Sequence, residues 1–211
     1  MRLDHISYVA SHEQISDVVN RIGSQIKTAF VDGGIHPKFG TRNFTAPLMN
    51  GQYIEVVCPL DHPATETNPF GQAVKKRASI GGGWLFLVLA TSDISIEEKK
   101  KGRKSVNGLR RKPDGEFLKW KQIGVLDSME NPEIPYIIEW ASSNHPSQDG
   151  IPKAKVIEIE LNTINEQMSE YYAIEQSRIE HIPSLKLNKG TEPSGIQSIT
   201  FLLGDETIEI V

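Results

Sequence analysis

Three residues stand where their chemistry is conspicuous. His5 lies inside the apolar run Leu3 to Ala10, Glu55 between Ile54 and Val56, and Glu139 between Ile138 and Trp140. A neutral imidazole ligates hard or borderline divalent ions, or carries a proton near neutral pH. A carboxylate in an apolar strand has two readings. Side chains alternate across a strand, so it can point to solvent; facing inward, it needs a metal, a proton-transfer role or a paired cation, because an unpaired buried charge is costly. His5 likewise reads either as a ligand or as a sheet-edge histidine satisfied by a neighbour. The segment Gly33-Gly34-Ile35-His36-Pro37, followed by Gly40-Thr41-Arg42-Asn43, offers His36, Arg42 and Asn43 to a pocket, although turn chemistry alone also explains its glycines. Trp84, Phe86 and Trp140 could form an aromatic wall, and Asn144 and His145 close the second unit, His145 reading more readily as structural.

The elements that would position these residues follow one repeated grammar. The first apolar run leads into Ser11-His12-Glu13-Gln14, a capping-box arrangement in which Ser11 accepts from the Gln14 backbone and Gln14 reaches back. Ile15, Val18, Val19 and Ile22 recur at helical spacing, and Gly23 is placed to end that helix. Trp84 to Ala90, followed by Thr91-Ser92-Asp93, repeats the strand-to-helix pattern. So does the alternating run Val156 to Leu161, where Thr163 and Glu166 form another capping box and Ile164, Met168, Tyr171 and Tyr172 a helical stripe. The units close alike, on Tyr53 to Val57, Ile137 to Ala141 and Thr207 to Val211, each with a glutamate after an isoleucine; the third is Glu209. Asn50-Gly51, Pro113-Asp114-Gly115 and Gly204-Asp205 are hairpin signals.

The reading is therefore an α+β chain of βαβββ-like units over 1 to about 75, about 80 to 145, and 153–211, the third the shortest and open to being truncated. Pro-rich segments at 59–69, 131–135 and 144–152 read as linkers. Residues 97–104 (EEKKKGRK) read as a solvated helix end or loop, with contact to an anionic partner as the alternative. Gly81-Gly82-Gly83 precedes a strand rather than opening a helix, so it reads as a turn and not a phosphate cradle.

Composition narrows the partners. At 211 residues, 38% hydrophobic and 24% charged, the chain can bury a core without staples. A net charge of -4 argues against nucleic acid as the main partner. The single cysteine, Cys58, forms no internal disulfide and reads as a buried, inert thiol. No signal pattern and no membrane-length apolar run is seen, so the expectation is a soluble, cytoplasmic protein with no membrane partner.

Leu3-Asp4-His5-Ile6, the segment 34–43, Gly51 to Val57, Pro135 to Trp140 and Asn144-His145-Pro146 together resemble the glyoxalase-like domain family of the vicinal oxygen chelate superfamily, over roughly residues 3 to 150. The resemblance implies paired βαβββ modules in a half-open mixed β-barrel with flanking helices, residues 1–150 forming the glyoxalase-like domain. It further implies a divalent metal ion of unspecified identity on the concave face. Carried over by position, the metal ligands would be His5, Glu55 and Glu139. The catalytic group would be Glu55, Glu139 and His36, with Arg42, Asn43, Trp84, Trp140 and His145 binding substrate. The second opening strand departs from the pattern, offering Trp84, Leu85 or Phe86 where a histidine is expected. The implied activity is a lyase, isomerase or dioxygenase type of reaction on a small oxygen-bearing substrate whose vicinal oxygens the metal polarises. The alternative is a metal-free protein that binds or sequesters a small molecule, and a weaker third is an interaction module built on 99–104. The resemblance also makes a homodimer reasonable.

Overall fold

A computed structural model describes residues 1–164, 180, 181 and 183–211. Eight strands form a closed barrel in the order β1-β4-β3-β2-β6-β7-β8-β5. The first module supplies β1 (Arg2–Val9), β2 (Val31–His36), β3 (Thr41–Leu48) and β4 (Gln52–Pro59). The second supplies β5 (Gly83–Ala90), β6 (Val106–Arg111), β7 (Phe117–Ile123) and β8 (Tyr136–Trp140). In each module the opening strand pairs in parallel with the closing strand, and β1 joins β5 antiparallel. The other seam is thin: β2 and β6 share the single register pair Ile35 and Arg111. The barrel expected to be half-open is thus closed by hydrogen bonding, but minimally so on that side.

Helix α1 (Ile15–Gln25) buries Ile15 and Ile22. The Gln14 N–H donates to Ser11 Oγ at 3.3 Å, the forward half of the expected capping box. Gly23 does not end the helix, which runs two residues further. The chain turns instead at Lys27, with φ 50°. The 59–69 segment, read as a linker, contains α2 (Pro63–Thr67) and leads into α3 (Pro69–Ser79). Each starts with a proline whose missing N–H costs nothing at a first helical position, and the His62 and Asn68 side chains accept from Ala64 N and Phe70 N. The charged run 97–104 falls in α4 (Ser95–Lys101), ended by Gly102 in the left-handed region, and in the turn beyond. Helix α5 (Val125–Glu130) precedes β8.

The remaining strands, β9 (Ala154–Thr163), β10 (Ser184–Lys189), β11 (Gly195–Leu203) and β12 (Glu206–Ile210), form a second sheet in the order β10-β9-β11-β12. Its opening strand pairs with β10 and β11, whereas β1 pairs with the closing strand β4, so this unit orders its strands differently from the barrel modules. The helical stripe expected at Met168, Tyr171 and Tyr172 and the Glu166 half of its capping box lie outside the described residues.

The second sheet explains why β1, β4 and β5 read as unbroken apolar runs. Ile6, Tyr8, Ile54, Val56, Leu87 and Leu89 form one core with Val156, Ile159, Ile199 and Phe201. Val9, Val57, Phe86, Val88, Tyr136 and Ile138 belong to a separate core that includes α3. Both strand faces are buried, so alternation is lost from the sequence.

Candidate active site inside the barrel

Strand β4 sends Tyr53 and Glu55 into the barrel while Ile54 and Val56 pack outward. Strand β1 contributes His5 and Ser7, paired with Tyr53 and Glu55 respectively. The Glu55 carboxylate, 4% exposed, is fully engaged. Ser7 Oγ donates to Oε2 and Asn43 Nδ2 to Oε1, both at 2.7 Å. Two imidazoles approach the same carboxylate, His5 Nε2 at 3.9 Å from Oε2 and His36 Nε2 at 3.9 Å from Oε1.

Each imidazole is held from behind. His5 Nδ1 lies 2.9 Å from Asp4 Oδ2, and His36 Nδ1 lies 2.9 Å from Thr41 Oγ1. Asp4 is itself buried between several donors: His145 Nε2 at 3.0 Å, Arg2 Nη2 at 2.8 Å and Trp140 Nε1 at 3.2 Å. Burial pushes the Asp4 carboxyl up, but its hydrogen bonds to His145 and His5 outweigh this and hold it far below the usual range. An ionised Asp4 only accepts, so His5 Nδ1 is the donor in their contact, and Nε2 is the ring nitrogen nearer Glu55. Glu55 is held below its ordinary value as well: burial opposes ionisation, and His5, His36, Ser7 and Asn43 together overcome it. Burial depresses His36 to about 4, against the pull of Glu55, so His36 is neutral at neutral pH. Burial and the nearby carboxylates raise Tyr53 and Tyr136 well above 10, leaving both hydroxyls protonated.

These groups line a cavity of about 20 Å³ whose walls include Phe39, Phe70, Trp120 and Trp140. That is room for roughly one water-sized group. A larger ligand must displace aromatic side chains to enter.

Of the residues singled out in the sequence, His5, His36, Asn43, Glu55 and Trp140 meet at this cavity. His145 stays just outside it, packing edge-on to Tyr53 and Trp140 with ring centroids 5.4 and 5.1 Å away, and buttresses Asp4. Arg42 points away, pairing with Asp32 and lying over the Phe44 ring. Trp84 packs in the core shared with the second sheet, where its Nε1 donates to the Ile210 carbonyl at 2.9 Å. Glu209 is exposed on β12.

Glu139 is not brought to His5 and Glu55. Tyr136, Ile138 and Trp140 face the cavity, so Glu139 faces out, where Oε2 accepts from the Ile94 N–H at 2.7 Å and Oε1 lies 3.9 Å from Lys121. The match "glutamate after an isoleucine" is one residue out of phase, and one residue on a strand is the opposite face. In the paired registers, Val88 stands where His5 does, and Ile138 where Glu55 does. The second module therefore brings apolar side chains to the positions where the first brings donors.

This bears on the implied metal. Among the described residues, no group of three His, Cys, Asp or Glu side chains is spaced to hold a metal ion. Both Glu55 oxygens are already accepting, and a buried guanidinium, that of Arg110, shares the cavity. The donor set as arranged does not fit a resident divalent ion.

Sequence reasoning missed Asp4, Ser7 and Arg110. Asp4 was marked only by its neighbour His5. Arg110 was unmarked, because an arginine in a polar strand reads as solvent-facing. Cys58 is buried, with burial pushing its thiol up to about 11, as an inert thiol requires.

The glyoxalase-like domain model matches residues 3–173. The chain belongs to the glyoxalase-like domain family. No curated protein matches the sequence. Among solved structures, this glyoxalase-like chain is similar to a hypothetical protein from Staphylococcus aureus, at 16% identity over 99% of this chain and 84% of that one, with a TM-score of 0.59. It also matches methylmalonyl-CoA epimerases from Mycobacterium tuberculosis (16% identity, 66% of this chain and 86% of that one) and Streptomyces coelicolor (14%, 67% and 99%), each with a TM-score of 0.43. At these identities the likeness concerns the fold. No helix among the described residues is long and apolar enough to cross a membrane.

Proposed function

We propose that this glyoxalase-like chain takes a small oxygen-bearing molecule into its barrel and moves a proton on it, as an isomerase or lyase does. The observation that carries this reading is the Asp4–His5–Glu55 line. An ionised carboxylate fixes the His5 tautomer from behind, and the free Nε2 faces a buried polar cavity. His5 Nε2 is the general base in this reading. Asp4 on one side and Glu55 on the other stabilise the imidazolium that forms, the same division of labour by which a buried aspartate serves a catalytic histidine. His36, held neutral, and the protonated Tyr53 and Tyr136 hydroxyls offer hydrogen bonds to the substrate oxygen on which charge develops. No step of the reaction runs through a metal.

The test is deuterium incorporation at carbon, followed by proton NMR in D2O over a panel of small carbonyl compounds. Enzyme-dependent exchange that disappears in His5→Gln and falls sharply in Glu55→Gln is expected. A second reading, a protein that only sequesters its ligand, is favoured by the aromatic walls of Phe39, Phe70, Trp120 and Trp140. Saturable binding with no exchange of any bound compound would put that reading in place of the first.

A further inference from the structure

Arg110, on β6, is among the largest fully buried side chains, at 2% exposure, and it lines the same cavity as His5, His36 and Glu55. No carboxylate of the described residues lies within 4.0 Å of its guanidinium. Its Nε and Nη2 are buried without a hydrogen-bond partner among the described residues. A guanidinium cannot relieve burial by losing its proton, as a lysine or histidine can. The charge and both N–H groups are therefore left for something other than these side chains to satisfy.

Which two groups are free matters. Nε–H and the adjacent Nη2–H point the same way, side by side, the fork that receives the two oxygens of a carboxylate. The backbone also leaves space for the guanidinium: a Cβ added at Gly33 would come 2.9 Å from Arg110 Nη1.

We infer that the ligand of this cavity carries a carboxylate, whose two oxygens Arg110 receives through Nε and Nη2. At about 20 Å³ the cavity must open for any ligand, and a planar carboxylate head needs less opening than a tetrahedral phosphate. Glu55, ionised in the same cavity, also disfavours a dianion. Arg110 anchors one end of the molecule and leaves the neighbouring carbon to the His5 base. This deepens the acid–base reading and rests on it for the choice of cavity.

The experiment titrates the full chain with acetate, pyruvate, neutral acetamide and inorganic phosphate. It follows the Arg Nε–H resonances by 15N NMR, the Arg110 signal being assigned with Arg110→Lys, and the fluorescence of the cavity tryptophans. Acetate and pyruvate are expected to shift the Arg110 Nε–H saturably, with affinity at least about tenfold weaker in Arg110→Met, the loss expected for a charge-assisted hydrogen bond. Acetamide is expected to leave the resonance in place. If Arg110→Met fails to fold, the wild-type resonance still decides. A signal unmoved by carboxylates, moved equally by acetamide, or moved by phosphate alone overturns the inference. Carboxylate binding without deuterium exchange removes the acid–base reading only, whereas exchange on a neutral carbonyl compound with a silent Arg110 removes this inference only.

Discussion

Glu55 and Ile138 occupy the same place in the two halves of the barrel. Glu55 pairs with Ser7 across β1 and β4, and Ile138 with Ala90 across β5 and β8. The two modules share a backbone plan, but only the first carries the ionisable cluster. The second contributes Ile138, Trp120 and the buried Arg110. The site is therefore lopsided, with acid–base groups on one side and a cation on the other.

Glu139→Ala should leave ligand binding and exchange unchanged, since its carboxylate caps the Ile94 N–H on the outside of the barrel. Losing that acceptor is expected to cost about 1 kcal/mol, as at other helix starts. Thermal melting and the deuterium assay check both halves. A loss of exchange with an intact fold would return Glu139 to the site.

His36 makes stability pH-dependent. Burial lowers its value in the folded chain to about 4 from an ordinary 6.5, so below 6.5 the unfolded chain takes up a proton that the folded chain refuses. The stabilising difference is complete above 6.5 and declines as pH falls toward 4, by a total on the order of 3 kcal/mol. Glu55, also lowered, adds its own loss only below its ordinary value of 4.5. Urea unfolding between pH 6.5 and 4.5 isolates the histidine, and His36→Gln should flatten that stretch of the curve. An unchanged slope in the variant would show that His36 is not the titrating group.

Asp4→Asn should unfix His5. The amide offers His5, His145, Arg2 and Trp140 one neutral acceptor atom in place of a buried carboxylate. Breaking a buried ion network from one side typically costs about 3–5 kcal/mol. Imidazole 15N shifts should report the proton of His5 on Nδ1 in the natural chain and a mixture of tautomers in the variant. The same mixture in both would mean that Asp4 does not set the tautomer.

Gly34→Ala tests the thin seam. Gly34 has φ 98°, and an added Cβ would sit 1.9 Å from the Arg111 carbonyl oxygen, beside the single β2–β6 register pair. No side-chain rearrangement relieves a clash with backbone, so a loss above roughly 2 kcal/mol is expected, with faster amide exchange in β2 and β6. Exchange that accelerates evenly through the barrel would argue against a local opening there.

Much of the strand plan was legible in the residues. Pro113-Asp114-Gly115 marks the β6–β7 hairpin, and Asn50-Gly51 marks the turn into β4. The α2 and α3 starts were also written locally, as His62-Pro63 and Asn68-Pro69, a capping side chain before a proline, although the proline content read as linker. Which face Glu139 takes was not legible, because Ile137 and Ile138 are both buried and the local pattern fits either phase. Trp84 looked like a cavity wall for the same reason: β5 is covered on both sides, and a bulge between Ser7 and Tyr8 shifts its register against β1.

By itself, the sequence determined the repeated strand-and-helix grammar, the family, and the placement of His5 and Glu55 in apolar strands. These rest on local hydrogen bonding and on side chains too apolar to stay in water. Only the tertiary structure decided that Glu55 points in and Glu139 out, that Asp4 backs His5, and that Arg110, unpaired among the described residues, lies in the same cavity. Those outcomes depend on how the two barrel halves and the second sheet cover each strand. Apart from the adjacent Asp4–His5 contact, the partners named lie 12, 48 and 141 positions away along the chain, so a residue's own neighbours do not record them.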